Sequence, residues 1–591
     1  MARRLGLAWG AVALLMGCSA GSDDAAGGSD GAGASTGKGS GSGGSSGTFT
    51  TGPSTGSGTC FECSADLHSV VDCNGTVIKE CPPDQGCAPD GSCVPSCQSA
   101  ELNKSTIGCD FYSVTPAVIA ESRGSCFAVM IANTWTSPIT IQAEFGGQTI
   151  DASAYTYVPQ GQGQSLTYSP LSGGMLGAGQ LGILFLSKYE SGDVYQIDCP
   201  VPQALEMNTQ VDNGAGAYEG ITGLGQAFHI TTTAPVVAYD VYPWGGASSF
   251  VTSATLLVPT PTWGTNFVTA DGWGPQYGYP WTQIVASQDG TQVTMVPKVN
   301  VVGGNGLPGG AANTPMTFTL NRGQVAQFLQ SERLAGSVLQ ADKPVSVWGG
   351  ASCMNIPDGN VACDAAHQQL LPVPALGNEY AAVRYPPRGG DDNAPYLIVG
   401  TVDGTTLTYD PAPPPGAPST IDVGTAVTFF TTQPFHVKSQ DADHPFYMAA
   451  YMTGGAVANG VGDPEYVNLV PPQQFLDKYL FATDPTYANT SLVFVRQKGP
   501  DNLFKDVVLD CMNPVTGWEP LGSGGQYEIS RLPIVQNFAP LGSCNNGAHT
   551  ATSEVPFGLT VWGYDQYASY AYPAGMSVEP INTVIVPPVP Q

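Results

Sequence analysis

The stretch Pro344-Val345-Ser346-Val347-Trp348 belongs to a phrase that occurs four times in this chain of 591 residues. Each copy begins at a Pro, continues with apolar residues and reaches an aromatic residue four or six positions later. An even spacing places the aromatic on the same face of a β-strand in every copy. The phrase therefore predicts four equivalent strands, and the other copies are Pro235 to Tyr239, Pro445 to Tyr451 and Pro556 to Trp562.

A second phrase, an apolar strand that ends in Pro, follows each first phrase after 24 to 31 residues. The two phrases together indicate an internal repeat, which is the signature of a body assembled from similar units. We predict four β-units of about 105 residues each. The closing phrases end at Pro259, Pro372, Pro471 and Pro587, and the predicted segments 1 to 4 are residues 109–262, 263–376, 377–474 and 475–591.

Every segment has strand patterns and lacks a sustained helical period, so the predicted fold class is all-β. Two strand-like runs flank Asp289-Gly290, and two more flank Asp403-Gly404, which predicts a hairpin with a type I′ turn in each place. Seven or eight short strands per segment fit either a propeller with two four-stranded blades per segment or tandem β-sandwiches. The junctions contain no flexible linker, and this favours one continuous propeller-like body.

The first seventeen residues, 1–17, have the composition of a signal peptide, with Arg3 and Arg4 before an apolar run too short to span a bilayer. Leu15-Met16-Gly17-Cys18 matches a bacterial lipobox, which implies that Cys18 is lipidated and anchors an exported chain to a membrane. Ser19 after the cysteine is typical of sorting to the outer membrane. Residues 18–59 are almost wholly Gly, Ser, Ala, Thr and Asp and are predicted to be a disordered tether.

Fifteen cysteines less the lipidated Cys18 leave an even fourteen, which in an exported chain predicts disulfides. Seven of them crowd into residues 60–108, a segment too short for an apolar core, so a small disulfide-rich module is predicted there. Zinc is the alternative, but no second C-x2-C follows the first. We expect one of the seven to pair outside the module, with nearby Cys109 as a candidate partner. The fourteen are Cys60, Cys63, Cys73, Cys81, Cys87, Cys93, Cys97, Cys109, Cys126, Cys199, Cys353, Cys363, Cys511 and Cys544.

The charge balance excludes one class of function. The chain has 47 acidic against 19 basic residues, for a net charge of −28. A nucleic-acid binder needs a positive field to displace counterions, so no nucleic-acid partner is expected.

Catalytic and metal motifs are absent from the sequence. His229 and His436 occupy the same position in two segments, which predicts a structural role for them. No cofactor or metal is expected, although calcium at acidic turns such as Asp391-Asp392 or Asp441 to Asp443 stays open. We therefore predict that the chain is not an enzyme. A hydrolase such as a glycosidase, which would need two opposed carboxylates, and a structural envelope component are the alternatives.

Aromatic residues in loops after the Pro strands are the predicted binding surface, because Tyr and Trp supply rigid amphipathic contact area. The alternative is that these aromatics pack over sheet edges. The candidates for contact with an unknown protein or glycan ligand are Tyr242, Trp244, Trp273, Tyr277, Tyr279, Trp281, Trp562 and Tyr564.

Three features carry a family resemblance: the run Ile107 to Tyr112, the strand Phe127 to Asn133, and the Pro-Val phrases with their Leu-Val-Pro closing strands. Together they resemble the N-terminal domain of IgGFc-binding protein, over roughly residues 105–590. The resemblance implies a binding or adhesion domain without known catalytic residues. It supplies no site residues to carry over. Segments 3 and 4 depart from the pattern, with Pro-Phe in place of Pro-Val.

Overall fold

β-Strands dominate the computed structural model, so the all-β prediction is confirmed. The structure describes residues 61–72, 75–190, 195–207, 222–246, 251–274, 276–390 and 392–589. The predicted signal peptide, the predicted lipidation site Cys18, the predicted tether, Cys60 and Cys73 lie outside these residues. Among the described helices, none is both long and apolar enough to cross a membrane.

The cysteine-rich segment forms two small antiparallel sheets and one helix. Three disulfides join its described cysteines: Cys63–Cys87, Cys81–Cys93 and Cys97–Cys109. The segment packs on the larger body, and residues 59–591 form one compact unit. Its elements are β1 (Glu62–Cys63), β2 (Ser69–Val71), β3 (Val77–Glu80), β4 (Gln85–Cys87), β5 (Cys93–Pro95) and α1 (Ser96–Asn103).

The described residues of segments 1 and 2 form eighteen strands and one short α-helix. The elements of segment 1 are β6 (Gly108–Ser113), β7 (Phe127–Asn133), β8 (Ile141–Phe145), β9 (Gln148–Ile150), α2 (Ala152–Tyr155), β10 (Thr156–Gln160), β11 (Thr167–Pro170), β12 (Leu181–Lys188), β13 (Leu205–Glu206), β14 (Gly223–Gln226), β15 (Phe228–Tyr242) and β16 (Ser253–Leu256). Those of segment 2 are β17 (Gly264–Val268), β18 (Pro280–Ala286), β19 (Thr291–Val296), β20 (Met316–Leu320), β21 (Gln324–Leu329), β22 (Val338–Met354) and β23 (Asp364–Leu370).

Sixteen strands lie in the part of segments 3 and 4 that the structure describes. Segment 3 has β24 (Glu379–Ala382), β25 (Pro395–Gly400), β26 (Thr405–Asp410), β27 (Thr420–Ile421), β28 (Ala426–Phe430), β29 (Phe435–Ser439), β30 (Phe446–Met452) and β31 (Glu465–Asn468). Segment 4 has β32 (Leu476–Ala482), β33 (Asn489–Gln497), β34 (Val507–Leu509), β35 (Glu519–Leu521), β36 (Tyr527–Gln536), β37 (Ala539–Pro540), β38 (Ala548–Asp565) and β39 (Ala568–Pro573).

The Pro phrase marks the place where a long strand passes from one set of partners to another. The first part of β22 pairs with β17 and β19, and the part after Pro344 pairs with β18 and β23. Strands β15 and β38 divide in the same way around Pro235 and Pro556. In segment 3 the two parts are separate strands, β29 and β30, on either side of Pro445. Proline has no N–H to donate to a ladder, which suits it to this transition.

The two predicted hairpins are wrong for the same reason. Strands β18 and β19 follow each other across Asp289-Gly290, but each pairs with a different part of β22. Strands β25 and β26 flank Asp403-Gly404 and lie in different sheets. Gly290 and Gly404 have φ of 62° and 66°, so both turns use the left-handed conformation, yet they connect sheets rather than paired strands.

The closing strands of the four segments meet around one axis. Strand β16 contacts β23 and β39, and β31 contacts the same two strands, so the four follow one another in a closed cycle. This arrangement agrees with the predicted continuous body. Thr106 N, three residues before segment 1, donates to Met576 O near the end of segment 4 over 2.9 Å.

The predicted closing strand at Ile585-Val586-Pro587 is wrong. The strand that closes segment 4 is β39, which ends at Pro573. The later residues cross segments 2 and 3 without forming a strand. Asn266 Nδ2 donates to Val586 O over 2.7 Å, and Val586 N donates to Asn266 Oδ1 over 2.9 Å. The apolar pattern at Val586 therefore reflects burial beneath another segment, and Val586 is not part of the closed cycle of closing strands.

Candidate binding pocket

The structure contradicts the predicted aromatic binding surface. Tyr242, Trp244, Trp281 and Trp562 are at most 1% exposed, because they lie in the strands or directly beneath the loops and pack into the core. Trp273 is also buried, and Tyr279 and Tyr564 are partly buried against the same cores. Of the eight, Tyr277 alone has a largely exposed side chain, 47% of which is accessible. The alternative interpretation, packing at sheet edges and between segments, describes these aromatics.

Two histidines instead occupy the junctions between consecutive segments. At the first, which we call junction 1, His229 Nε2 lies 3.1 Å from Asp110 Oδ1, and His229 Nδ1 lies 3.1 Å from Glu144 Oε1. Arg322 of segment 2 reaches across and donates from Nη2 to Glu144 Oε1 over 3.0 Å and from Nε to the Tyr112 hydroxyl over 3.1 Å. Junction 1 is therefore filled by a guanidinium group.

The second histidine site, junction 2, lies between segments 3 and 4. His436 Nε2 donates to Glu379 Oε1 over 2.7 Å, and the Tyr527 hydroxyl donates to the same oxygen over 2.6 Å. Asp410 Oδ1 accepts hydrogen bonds from Ser523 N and Oγ. In place of an arginine, a glycine-rich loop at 522–525 approaches from segment 4.

Junction 2 contains an open cavity of about 280 Å³. This volume is near the lower end of the range for small-ligand sites. Polar side chains from both segments dominate the lining, which consists of Glu379, Thr408, Tyr409, Asp410, His436, Lys438, Leu521, Gly524, Gln526 and Tyr527.

Both carboxylates of the cavity are held in the ionised form. Burial raises the pKa of Glu379, but hydrogen bonds from His436 and Tyr527 outweigh it and leave that pKa below its ordinary value. Hydrogen bonds from Ser523 and Gly524 lower the pKa of Asp410. Burial raises the pKa of Tyr527, which keeps this hydroxyl protonated as a donor.

A separate group of carboxyls lies where the closing strands meet. Asp364, at the start of β23, accepts from Thr252 N over 3.1 Å and from Thr252 Oγ1 over 3.0 Å. Glu465, at the start of β31, accepts from Ser253 Oγ over 3.3 Å. Asp463 lies two residues earlier. We call Asp364, Asp463 and Glu465 the axial carboxyls; each is at most 1% exposed.

Burial is the main cause that raises the pKa of all three axial carboxyls. The pKa of Asp463 is raised to about 7. Proximity to Asp463 further raises the pKa of Asp364, and proximity to Asp364 further raises that of Glu465. No sequence motif marks this group, because Asp364 comes from segment 2 and the other two carboxyls come from segment 3.

The acidic turns considered for calcium have other roles. Asp392 is buried, accepts from Arg388 Nη2 over 3.0 Å and from the Tyr385 hydroxyl over 2.6 Å, and so belongs to an ion-pair network. Asp391 lies outside the described residues. Asp441 Oδ1 lies 2.6 Å from His444 Nδ1. Among the described residues, one group could bring three metal-ligand atoms together: Asp510, Cys511 and His549. Its Cys511 is bonded to Cys544, so no thiolate is available.

Disulfides also hold the loops and strand ends of the body. They join Cys126 to Cys199, Cys353 to Cys363 and Cys511 to Cys544. Disulfides of this kind are typical of exported proteins. A disulfide-containing all-β body of this kind places the chain in the class of extracellular domains.

Comparison with known proteins identifies the family within that class. A family model described as IgGFc binding protein matches residues 253–563, more than half of the chain. The chain therefore belongs to the IgGFc-binding protein family. The human IgGFc-binding protein is 25% identical to it over 290 residues, which are 49% of this chain and 5% of the human protein. The chain thus matches only a small fraction of that relative's length. The residues that the family model matches, 253–563, include the whole of junction 2.

Proposed function

We propose that this chain is an exported, membrane-tethered binding protein that takes a protein or glycan ligand at junction 2. The observation that carries the proposal is the cavity itself, which lies at a segment junction and presents carboxylate, imidazole, phenol and ammonium groups. A small set of converging polar groups in a concave site is the usual form of a binding site. Family membership supports a binding role in general, and the ligand is part of the proposal.

Binding without catalysis is the second part of the proposal. A glycosidase of the ordinary two-carboxylate type needs one carboxylic acid in its protonated form. In junction 2 the pKa values of both Glu379 and Asp410 are lowered, so neither carboxyl is suited to donate a proton near neutral pH. The pair therefore supports ligand recognition over glycoside hydrolysis.

Filling the cavity tests the binding site. Gln526 lines junction 2 from segment 4, and we expect Gln526→Trp to abolish ligand capture in a glycan array and a whole-cell pull-down, because the larger side chain occupies the space. Circular dichroism and the unfolding temperature should stay near the native values. Tyr277→Ala, which changes an exposed aromatic elsewhere, is the matched control and should capture ligand normally. Loss of capture in Tyr277→Ala with retention in Gln526→Trp would refute the pocket.

The membrane tether rests on the lipobox at Leu15 to Cys18. We expect Cys18→Ser to release the chain from the membrane fraction and to abolish incorporation of labelled fatty acid, because the thiol is the proposed attachment point. Ser19→Ala should leave both properties unchanged and serves as the control. Fatty-acid labelling that persists in Cys18→Ser would contradict the proposal.

A further inference from the structure

Junctions 1 and 2 are built on the same strand positions. Glu144 lies opposite His229 in the pairing of β8 with β15, and Asp410 lies opposite His436 in the pairing of β26 with β29. The other carboxylate of each junction lies on the first strand of its segment, Asp110 on β6 and Glu379 on β24. Each pairs with the residue two positions after the histidine. The two sites therefore share a histidine and two carboxylates in equivalent places.

The residues that approach from the next segment are equivalent as well. Arg322 lies three residues before Val325, and Gln526 lies three residues before Ile529. Val325 pairs with Val285, which in turn pairs with Ser346, two residues after Pro344. Ile529 pairs with Val495, which in turn pairs with Gly558, two residues after Pro556. Arg322 in junction 1 and Gln526 in junction 2 thus occupy corresponding positions, and the side chain of Gln526 is shorter and uncharged.

Two differences open the cavity: Gln526 takes the place of Arg322, and Ala381 takes the place of Tyr112 opposite the histidine. In junction 1 the Arg322 guanidinium contacts Glu144, the Tyr112 hydroxyl and, over 3.0 Å from Nη2, His229 Nδ1. In junction 2 no guanidinium is supplied from within the described chain, and the cavity of about 280 Å³ lies beside Gln526. Tyr527 replaces Tyr112 as the aromatic next to the histidine, with ring centroids 5.2 Å apart against 4.5 Å in junction 1.

We propose that junction 2 binds the guanidinium group of an arginine side chain on a protein ligand. This inference rests on the proposed function and names the chemistry of its ligand. Asp410 and His436 hold the positions of Glu144 and His229, and the Tyr527 hydroxyl adds a third polar group beside the histidine. Planar guanidinium groups suit carboxylates because they donate two parallel hydrogen bonds, which an ammonium group cannot do.

The charge of the cavity favours a cationic ligand. Glu379 and Asp410 contribute two negative charges, and Lys438, whose side chain is exposed at the edge, contributes one positive charge. These three side chains together have a net charge of about −1. Lys438 limits the affinity of a cation, so its removal should strengthen binding.

The test uses the purified full chain with ¹³C-labelled histidines, which number six. We expect the tripeptide Gly-Arg-Gly to shift the His436 imidazole signals with a dissociation constant of about 1 mM. The tripeptide with citrulline in place of arginine should bind at least about tenfold more weakly, because it loses the charge. Gln526→Arg should abolish the shift by filling the cavity from within, and Lys438→Gln should tighten binding about two- to fivefold.

Junction 1 provides the reciprocal variant. Arg322→Gln should open a second site, so that Gly-Arg-Gly shifts His229 as well as His436. Equal binding of the arginine and citrulline tripeptides, or an undiminished shift in Gln526→Arg, would overturn the guanidinium assignment. Binding of free arginine without binding of the tripeptide would overturn the protein ligand.

The outcomes separate this inference from the function on which it rests. If Gly-Arg-Gly fails to bind while Gln526→Trp still abolishes ligand capture, junction 2 is a binding site for another chemistry. If capture persists in Gln526→Trp, the proposed function itself fails.

Discussion

The free energy of unfolding of this protein is expected to fall as the pH rises from about 4 to about 7, because of the axial carboxyls. The pKa of Asp463 is raised from 3.8 to about 7, and burial also raises those of Asp364 and Glu465. A carboxyl whose pKa is raised on folding contributes fully to the free energy of unfolding below its unfolded-state pKa. This contribution is lost as the pH rises through the folded-state pKa. Chemical denaturation at a series of pH values measures this trend.

Replacing one axial carboxyl should flatten the pH profile. Glu465 Oε2 has no hydrogen-bond partner among the described residues, so Glu465→Gln removes a buried charge without removing a bond to that oxygen. We expect the variant to lose less stability than the native chain as the pH rises, and to be similar to it near pH 4. A parallel downward shift of the whole profile would contradict the assignment.

Carboxyls with lowered pKa values limit stability on the acid side. Lys478 Nζ lies 2.6 Å from Asp66 Oδ2, and hydrogen bonds from Lys478 and Ser64 outweigh burial and lower the pKa of Asp66 to about 2. This contribution is complete above the ordinary value of 3.8 and is lost as the pH falls toward 2. Asp66→Asn should therefore reduce the loss of unfolding free energy below about pH 4. The fall of that free energy between about pH 4 and 7 should stay unchanged.

Truncating the buried aromatics should cost more stability than any surface change. Trp562 is 0% exposed and packs edge-on against Tyr385, with ring centroids 5.0 Å apart. We expect Trp562→Ala to lower the free energy of unfolding by about 3–5 kcal/mol, because it leaves a large cavity. Tyr277→Ala should change it by less than about 0.5 kcal/mol, since this side chain is largely exposed.

Trp562→Phe is the control for the aromatic prediction. The Trp562 indole N–H has no hydrogen-bond partner in the described part of the chain, so the substitution keeps a packed ring and gives up no such bond there. Its cost should be clearly smaller than that of Trp562→Ala. Denaturant titration monitored by circular dichroism measures all three variants. If Trp562→Ala and Tyr277→Ala had equal, small effects on the free energy of unfolding, the burial of Trp562 would be contradicted.

The residues of junction 2 could be predicted from the sequence only in part. His229 and His436 were recognisable as equivalent because each follows a Phe shortly before a Pro phrase. Their carboxylate partners were not, since Glu144 and Glu379 lie 85 and 57 residues away and come into contact only through strand pairing. The correspondence of Arg322 with Gln526 needed the ladders of two segments to be compared.

The sequence by itself determined the all-β class, the four recurring Pro phrases that lie in strands, and the pairing capacity of the cysteines. These properties are local, because they depend on alternation along a strand, on a proline that cannot donate a hydrogen bond, and on thiols in an exported chain. Tertiary structure alone decided which aromatics are buried, which carboxyls meet on the axis, and which junction is open. Those properties depend on contacts between segments about a hundred residues apart, and nothing in a single strand's pattern specifies the neighbour it will meet.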